Sequence, residues 1–204
     1  MDTCRTIVII GASTGGPQTL RKVVEKIPVI DACIIIVQHM PIHVNNSIRR
    51  SLSQLTDMDV NIAEDGMRLK NGVIIIAPSE VHLELDRNRF VRLVEGEKVN
   101  YVCPAVDVTL KSIENTSGVN IIGVILTGMG SDGAEGIRHI KQLGGTTIAQ
   151  DEATSVIYGM PRAAAETGDI DFILPPELIG DKITQLVNSN KMKSEDCAEK
   201  SISR

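Results

Sequence analysis

Five short runs, at residues 7–10, 33–37, 73–77, 121–126 and 146–149, are rich in Ile and Val. They alternate along the chain with stretches whose apolar residues recur every three or four positions. Runs this short, without polar alternation, predict strands buried on both faces. Between them, Leu20, Val23, Val24 and Ile27 predict one amphipathic helix, and Val44, Ile48, Leu52 and Leu55 a second. Val106, Leu110 and Ile113 predict a third, and Ile137, Ile140 and Leu143 a fourth. Strand and helix in alternation need right-handed crossovers. The expected fold class is therefore α/β: a doubly wound, mostly parallel β-sheet with helices on both faces, in a single domain. Residues 84–94 alternate more strictly around Arg87-Asn88 and predict an antiparallel hairpin or an edge excursion. After the Leu174-Pro175-Pro176 break a last helix is expected over 176–187, closing a domain of residues 1–187. Residues 188–204 are polar, with Ser, Lys and Glu prominent, and predict a disordered C-terminal tail.

Composition narrows the function classes. A chain of 204 residues buries about 70% of its unfolded surface. With aromatics at 2% and no Trp, the core must be aliphatic, and there are too few rings to stack nucleobases. Twenty-six acidic residues against 21 basic, a net charge of −5, argue against nucleic acid as a partner. No apolar stretch approaches a membrane span, and Asp2 and Arg5 do not suit a signal peptide, so a cytoplasmic protein without membrane insertion is expected. Cys4, Cys33, Cys103 and Cys197 lack ligand spacing, which predicts reduced thiols and no metal site.

In an open parallel sheet, functional groups gather where the strands end at their carboxyl edge. The first strand runs into Gly11-Ala12-Ser13-Thr14-Gly15-Gly16-Pro17, which contains Gly-x-Ser-x-Gly. Glycines at those places allow a sharp strand-to-helix turn that exposes the serine hydroxyl. Pro17 suits the start of a helix, and the Thr14, Gly15 and Gly16 amides are candidates to face an anion. The second strand runs into Gln38-His39-Met40-Pro41, and the 121–126 strand into Thr127-Gly128-Met129-Gly130-Ser131-Asp132-Gly133. A serine needs a base near neutral pKa, and an imidazole needs a carboxylate to fix its tautomer, so Ser13, His39 and Asp132 are the candidate catalytic residues.

Rivals exist for each role. His82, which follows the 73–77 strand, competes with His39, while His43 and His139 fall in helical patterns. Glu80, Asp151 and Glu152 compete with Asp132, for which helix capping is an equally good reading. A dinucleotide site would place an acid at the end of the second strand, where Gln38-His39 stands instead. A phosphate-binding flavodoxin-like module would leave His39 and Asp132 unexplained. In an α/β-hydrolase the nucleophile follows several strands and the order is serine, acid, histidine.

Six segments, IGASTGGPQTL, VQHMP, IAPSEVHLEL, PAVDVTL, GVILTGMGSDGAEG and TIAQDEATSVIYGMPRAA, resemble, in order, the catalytic domain of the CheB-type chemotaxis receptor methylesterases. The resemblance covers about residues 7–179. It implies hydrolysis of glutamate γ-methyl esters on methyl-accepting chemotaxis receptors with release of methanol, and deamidation of receptor glutamines, without a cofactor. It puts the catalytic roles on Ser13, His39 and Asp132 and the oxyanion contacts on the Thr14 and Met129 amides. Gly15, Gly16, Met40, Gly128 and Gly130 then line the substrate site. It also implies a monomer regulated by a receiver domain or a chemotaxis kinase. Tyr101-Val102-Cys103 stands where such proteins carry basic residues before the Pro-x-Val-Asp segment, and a changed substrate preference is expected from it. The alternative to an enzyme is a receptor- or signalling-protein-binding module on the same fold.

Overall fold

The computed structural model describes residues 4–114 and 118–202, with side chains to residue 190. Seven strands form one sheet: β1 (Thr6–Ala12), β2 (Cys33–Gln38), β3 (Asp59–Ile62), β4 (Val73–Ile76), β7 (Asn120–Ile125), β8 (Thr146–Gln150) and β9 (Phe172–Leu174). Their order is β3-β4-β2-β1-β7-β8-β9, and every pairing is parallel. The chain starts at the centre, passes through β2 to the edge strand β3, comes back to β4 between β3 and β2, then crosses to β7 and winds out the other way through β8 and β9. This is the doubly wound α/β arrangement expected, with its switch point between β1 and β7. Strands β5 (His82–Leu85) and β6 (Val91–Val94) pair antiparallel across the Arg87-Asn88 turn as a separate hairpin.

Alternation along the central strands divides the core in two. Val8 and Ile10 of β1 and Ile34 and Ile36 of β2 face one layer. Its helices are α1 (Gly16–Val24), α2 (Asn45–Ser53) and α6 (Pro176–Ile202). Ile7, Ile9, Ile35 and Val37 face the other, built by α3 (Val106–Lys111), α4 (Ala134–Gln142), α5 (Met160–Glu166) and the hairpin. Each fully buried aliphatic side chain contributes about 1.5–3 kcal/mol, which explains how a core nearly without aromatic rings holds.

Two short strands at the sheet's edges, β3 and β9, were not evident from periodicity; three or four residues with partial exposure give too little pattern. Helix α6 begins at the Pro-Pro break as expected, but its backbone continues past Val187 to Ile202. Its buried residues Ile179, Ile183 and Val187 lie in the first part. Residues 203 and 204 of the expected tail lie outside the described residues. Cys4 and Cys33 are buried free thiols. Among the described residues, no helix is long and apolar enough to cross a membrane.

Candidate active site

The carboxyl ends of β1, β2 and β7 bring the three candidates to one edge. Ala12 pairs with Gln38 in the β1–β2 register, so the next residues, Ser13 and His39, stand side by side where the strands end. The His39 amide donates to Ala12 O at 2.9 Å and the Ser13 amide to Thr127 O at 3.0 Å, which fixes both positions through backbone alone. Gln38, fully buried beneath them, donates from Nε2 to Ser13 O (2.9 Å) and His39 O (2.8 Å). A single carboxamide thus ties the serine loop to the histidine loop.

Asp132 is buried and lies 2.9 Å through Oδ2 from His39 Nε2. That contact leaves Nδ1 as the ring nitrogen available to a hydroxyl, the reverse of the usual serine-protease assignment. Asp132 also accepts the Val106 amide (2.7 Å), the Asp107 amide (3.0 Å) and Asn100 Nδ2 (3.0 Å). It therefore caps the start of α3 and holds the imidazole at once, so the capping and catalytic readings are not exclusive. Burial opposes its ionisation, but the bonds from His39, the Asp107 and Val106 amides and Asn100 outweigh burial and hold the carboxyl below its ordinary range. Asp107 reciprocates by accepting the Gly133 (3.0 Å) and Gly136 (2.7 Å) amides at the start of α4. Burial, backed by the Asp132 charge, pushes Asp107 upward despite the Gly136 amide and Asn100.

The serine loop is shaped by close approach. Gly15 has φ +82 and precedes α1, with Pro17 in the first turn. A Cβ on Gly128 would lie 2.8 Å from Ser13 Cβ and 2.3 Å from Met160 Sδ, so only glycine fits against the serine. The Thr14 and Met129 amides donate to no acceptor among the described residues, and Met129 is 74% exposed. The Gly16 amide is a correction to the expected anion cradle: it donates to Ser13 O at 2.8 Å, closing the turn. The Ser13 hydroxyl makes no hydrogen bond among the described residues, a common state of catalytic contacts before substrate enters.

A cleft of about 400 Å³ opens beside His39, lined by Met40, Ile42, Glu80, Lys98, Tyr101 and Cys103 among others. Gly128 packs against Ser13, and Gly130, with φ +89, has open space around it. Of the rivals, His82 is buried and fully engaged: Nε2 donates to Glu97 O at 2.9 Å and Nδ1 accepts the Ala105 amide at 3.2 Å. His139 bonds Ile113 O through Nε2, and His43 lies in the 3₁₀ turn Ile42–Val44. Asp151 accepts the Thr154 amide in its own turn, and Glu152 is exposed. Among the described residues no group of three His, Cys, Asp or Glu side chains is placed to hold a metal ion. Sequence reasoning missed Gln38, Asn100 and Asp107 as parts of the site. The signal for Asp107 was its place in the first turn of a helix; for the amides there was none.

Fold and site together define a doubly wound α/β domain with a serine, an imidazole and a buried carboxylate at its switch point. The family model described as CheB methylesterase matches residues 8–183. The protein-glutamate methylesterase/protein-glutamine glutaminase of Haloarcula marismortui is 43% identical over 187 residues, covering 89% of this chain and 51% of the relative. An enzyme of the same description, numbered 2, from Rhodospirillum rubrum is 42% identical over 189 residues, covering 91% and 52%. The crystal structure of the Thermotoga maritima CheB methylesterase catalytic domain superposes with a TM-score of 0.83 at 41% identity, covering 89% of this chain and 98% of that one. The chain belongs to the CheB methylesterase family. It spans about half the length of the curated relatives it matches.

Proposed function

We propose that residues 1–187 are a protein-glutamate methylesterase catalytic domain, with 188–204 a polar tail, acting on methyl-accepting chemotaxis receptors. The observation that carries this reading is the bonded His39–Asp132 pair beside Ser13 at the paired ends of β1 and β2. Ser13 Oγ gives its proton to His39 Nδ1 and attacks the carbonyl carbon of a glutamate γ-methyl ester. Asp132 holds Nε2–H and balances the imidazolium charge. The oxyanion lies against the Thr14 and Met129 amides, donors worth roughly 2.7–4 kcal/mol each in a preorganised site. The carbon–oxygen bond to methoxide breaks as His39 returns the proton, so methanol leaves and Ser13 carries a γ-glutamyl ester. Water, deprotonated by His39, then releases the glutamate carboxylate and restores the serine. With a glutamine substrate the same steps release ammonia, in keeping with the double description of the relatives. No step calls for a cofactor or metal.

Gly15, Gly16, Met40, Gly128 and Gly130 line the approach to Ser13, and the protein works as a cytoplasmic monomer regulated by a receiver domain or the chemotaxis kinase. Methanol release from methylated receptor membranes tests the reading. Wild-type protein should release methanol and folded Ser13→Ala should not. Equal release from both would refute nucleophilic catalysis, and receptor binding without release would identify a docking module.

A further inference from the structure

Val99 and Val102 exchange backbone hydrogen bonds of 3.1 and 3.0 Å, so Asn100 and Tyr101 form the tip of a two-residue hairpin. Both tip residues are left-handed, at φ +53 and +66. Primed turns demand this conformation, asparagine tolerates it well, and tyrosine does not. His82 holds both flanks of the tip, through Glu97 O and the Ala105 amide. An otherwise exposed turn is thereby pressed onto the buried carboxylates. Asn100 Nδ2 donates to Asp132 Oδ1 at 3.0 Å and to Asp107 Oδ2 at 2.8 Å. Both protons of one amide are spent on two neighbouring acids, which no hydroxyl or carboxylate at position 100 could do.

We propose that Asn100 is a positioning residue for the relay: it pins Asp132 so that Oδ2 stays turned to His39, and by donating to both it lets the Asp107 and Asp132 carboxylates lie side by side. This rests on the methylesterase reading given above. Without the amide, Asp132 loses a donor that spreads its charge, becomes more basic, and grips the imidazolium of His39 more tightly. The charged or titratable groups facing the relay are His39 from the β2 end, Asp107 and Lys111 from α3, and Glu80, Lys98, Tyr101 and Cys103 along the cleft beside His39.

Asn100→Gly preserves the left-handed turn and removes the amide, while Asn100→Asp keeps the size and replaces both donors with acceptors. For methanol release, kcat should fall about tenfold in Asn100→Gly, as for loss of one charge-assisted hydrogen bond, and further in Asn100→Asp, with KM little changed. The acid limb of the kcat/KM–pH profile should move to higher pH, and the His39 Nε2–H proton resonance of the folded protein, read by NMR, should move from its wild-type position as Asp132 turns. A purely structural role would lower the folded fraction and leave the pH profile and that resonance in place. A folded Asn100→Gly whose His39 Nε2–H resonance and kcat/KM–pH profile match wild type overturns the proposal; if that variant does not fold, Asn100→Ser is judged on the same two readouts. Wild-type protein that releases no methanol would sink the methylesterase reading instead, while the His39 Nε2–H resonance still decides the role of Asn100.

Discussion

The two halves of the site are built on opposite terms. Asp132 accepts from His39, Asn100 and two amides of α3, and it is fully buried. Ser13 is held only through its backbone, its hydroxyl bonds nothing among the described residues, and the neighbouring Thr14 and Met129 amides are equally uncommitted. The base side is finished before anything binds; the nucleophile side keeps its polar groups for a substrate. That division suits electrostatic preorganisation, in which the charge partner costs no rearrangement during reaction. It also separates substitutions that remove chemistry alone from those that remove chemistry and stability together.

The sharpest separation is expected at Ser13. Ser13→Ala should reduce methanol release by about 10³-fold or more, with an unchanged urea midpoint. Asp132→Ala should lose activity and stability at once, because the Val106 and Asp107 amides lose their acceptor; about 1–3 kcal/mol per buried orphan suggests roughly 3 kcal/mol in urea unfolding. If it unfolds with wild-type parameters, the two halves do not differ as described. Gly128→Ala pushes a methyl group into Ser13 and Met160, and about 1–3 kcal/mol of overpacking with loss of activity is expected, read by calorimetry and methanol release.

His82→Ala sharpens the contrast between the two histidines. It frees Glu97 O and the Ala105 amide, so it should cost about 1–3 kcal/mol while, per folded molecule, retaining more activity than His39→Ala. A larger loss of kcat at His82 would exchange their roles. The smallest effect is in acid. Because the Asp132 carboxyl is held low in the folded state, its contribution is complete above the unfolded value, about pH 4, and fades as pH falls through the folded one. The stability gap between wild type and Asp132→Asn in urea should therefore narrow below about pH 4.

The fold was legible because β1, β2, β4, β7 and β8 are buried on both faces and read as unbroken aliphatic runs, while α1, α2 and α4 carry a clean apolar stripe. Strands β3 and β9 are short and half exposed, and their places come from pairing with β4 and β8, which periodicity does not record. At the site, Ser13, His39 and Asp132 stand at strand ends, so topology alone brought them to one edge. The exchange of caps between Asp132 and Asp107 links residues 25 apart through two helix starts, and nothing in the spacing reveals it. Asn100 was hidden for the same reason: its reach depends on a hairpin tip folded back over α3. The expected Gly16 amide failed because the elbow uses it to close its own turn.

The most direct test of a serine activated by the His39–Asp132 pair is labelling with a fluorophosphonate, followed by peptide mapping. Modification should fall on Ser13 alone, disappear in folded His39→Ala, and persist in folded His82→Ala. Labelling at another residue, or undiminished labelling of Ser13 without His39, would contradict it.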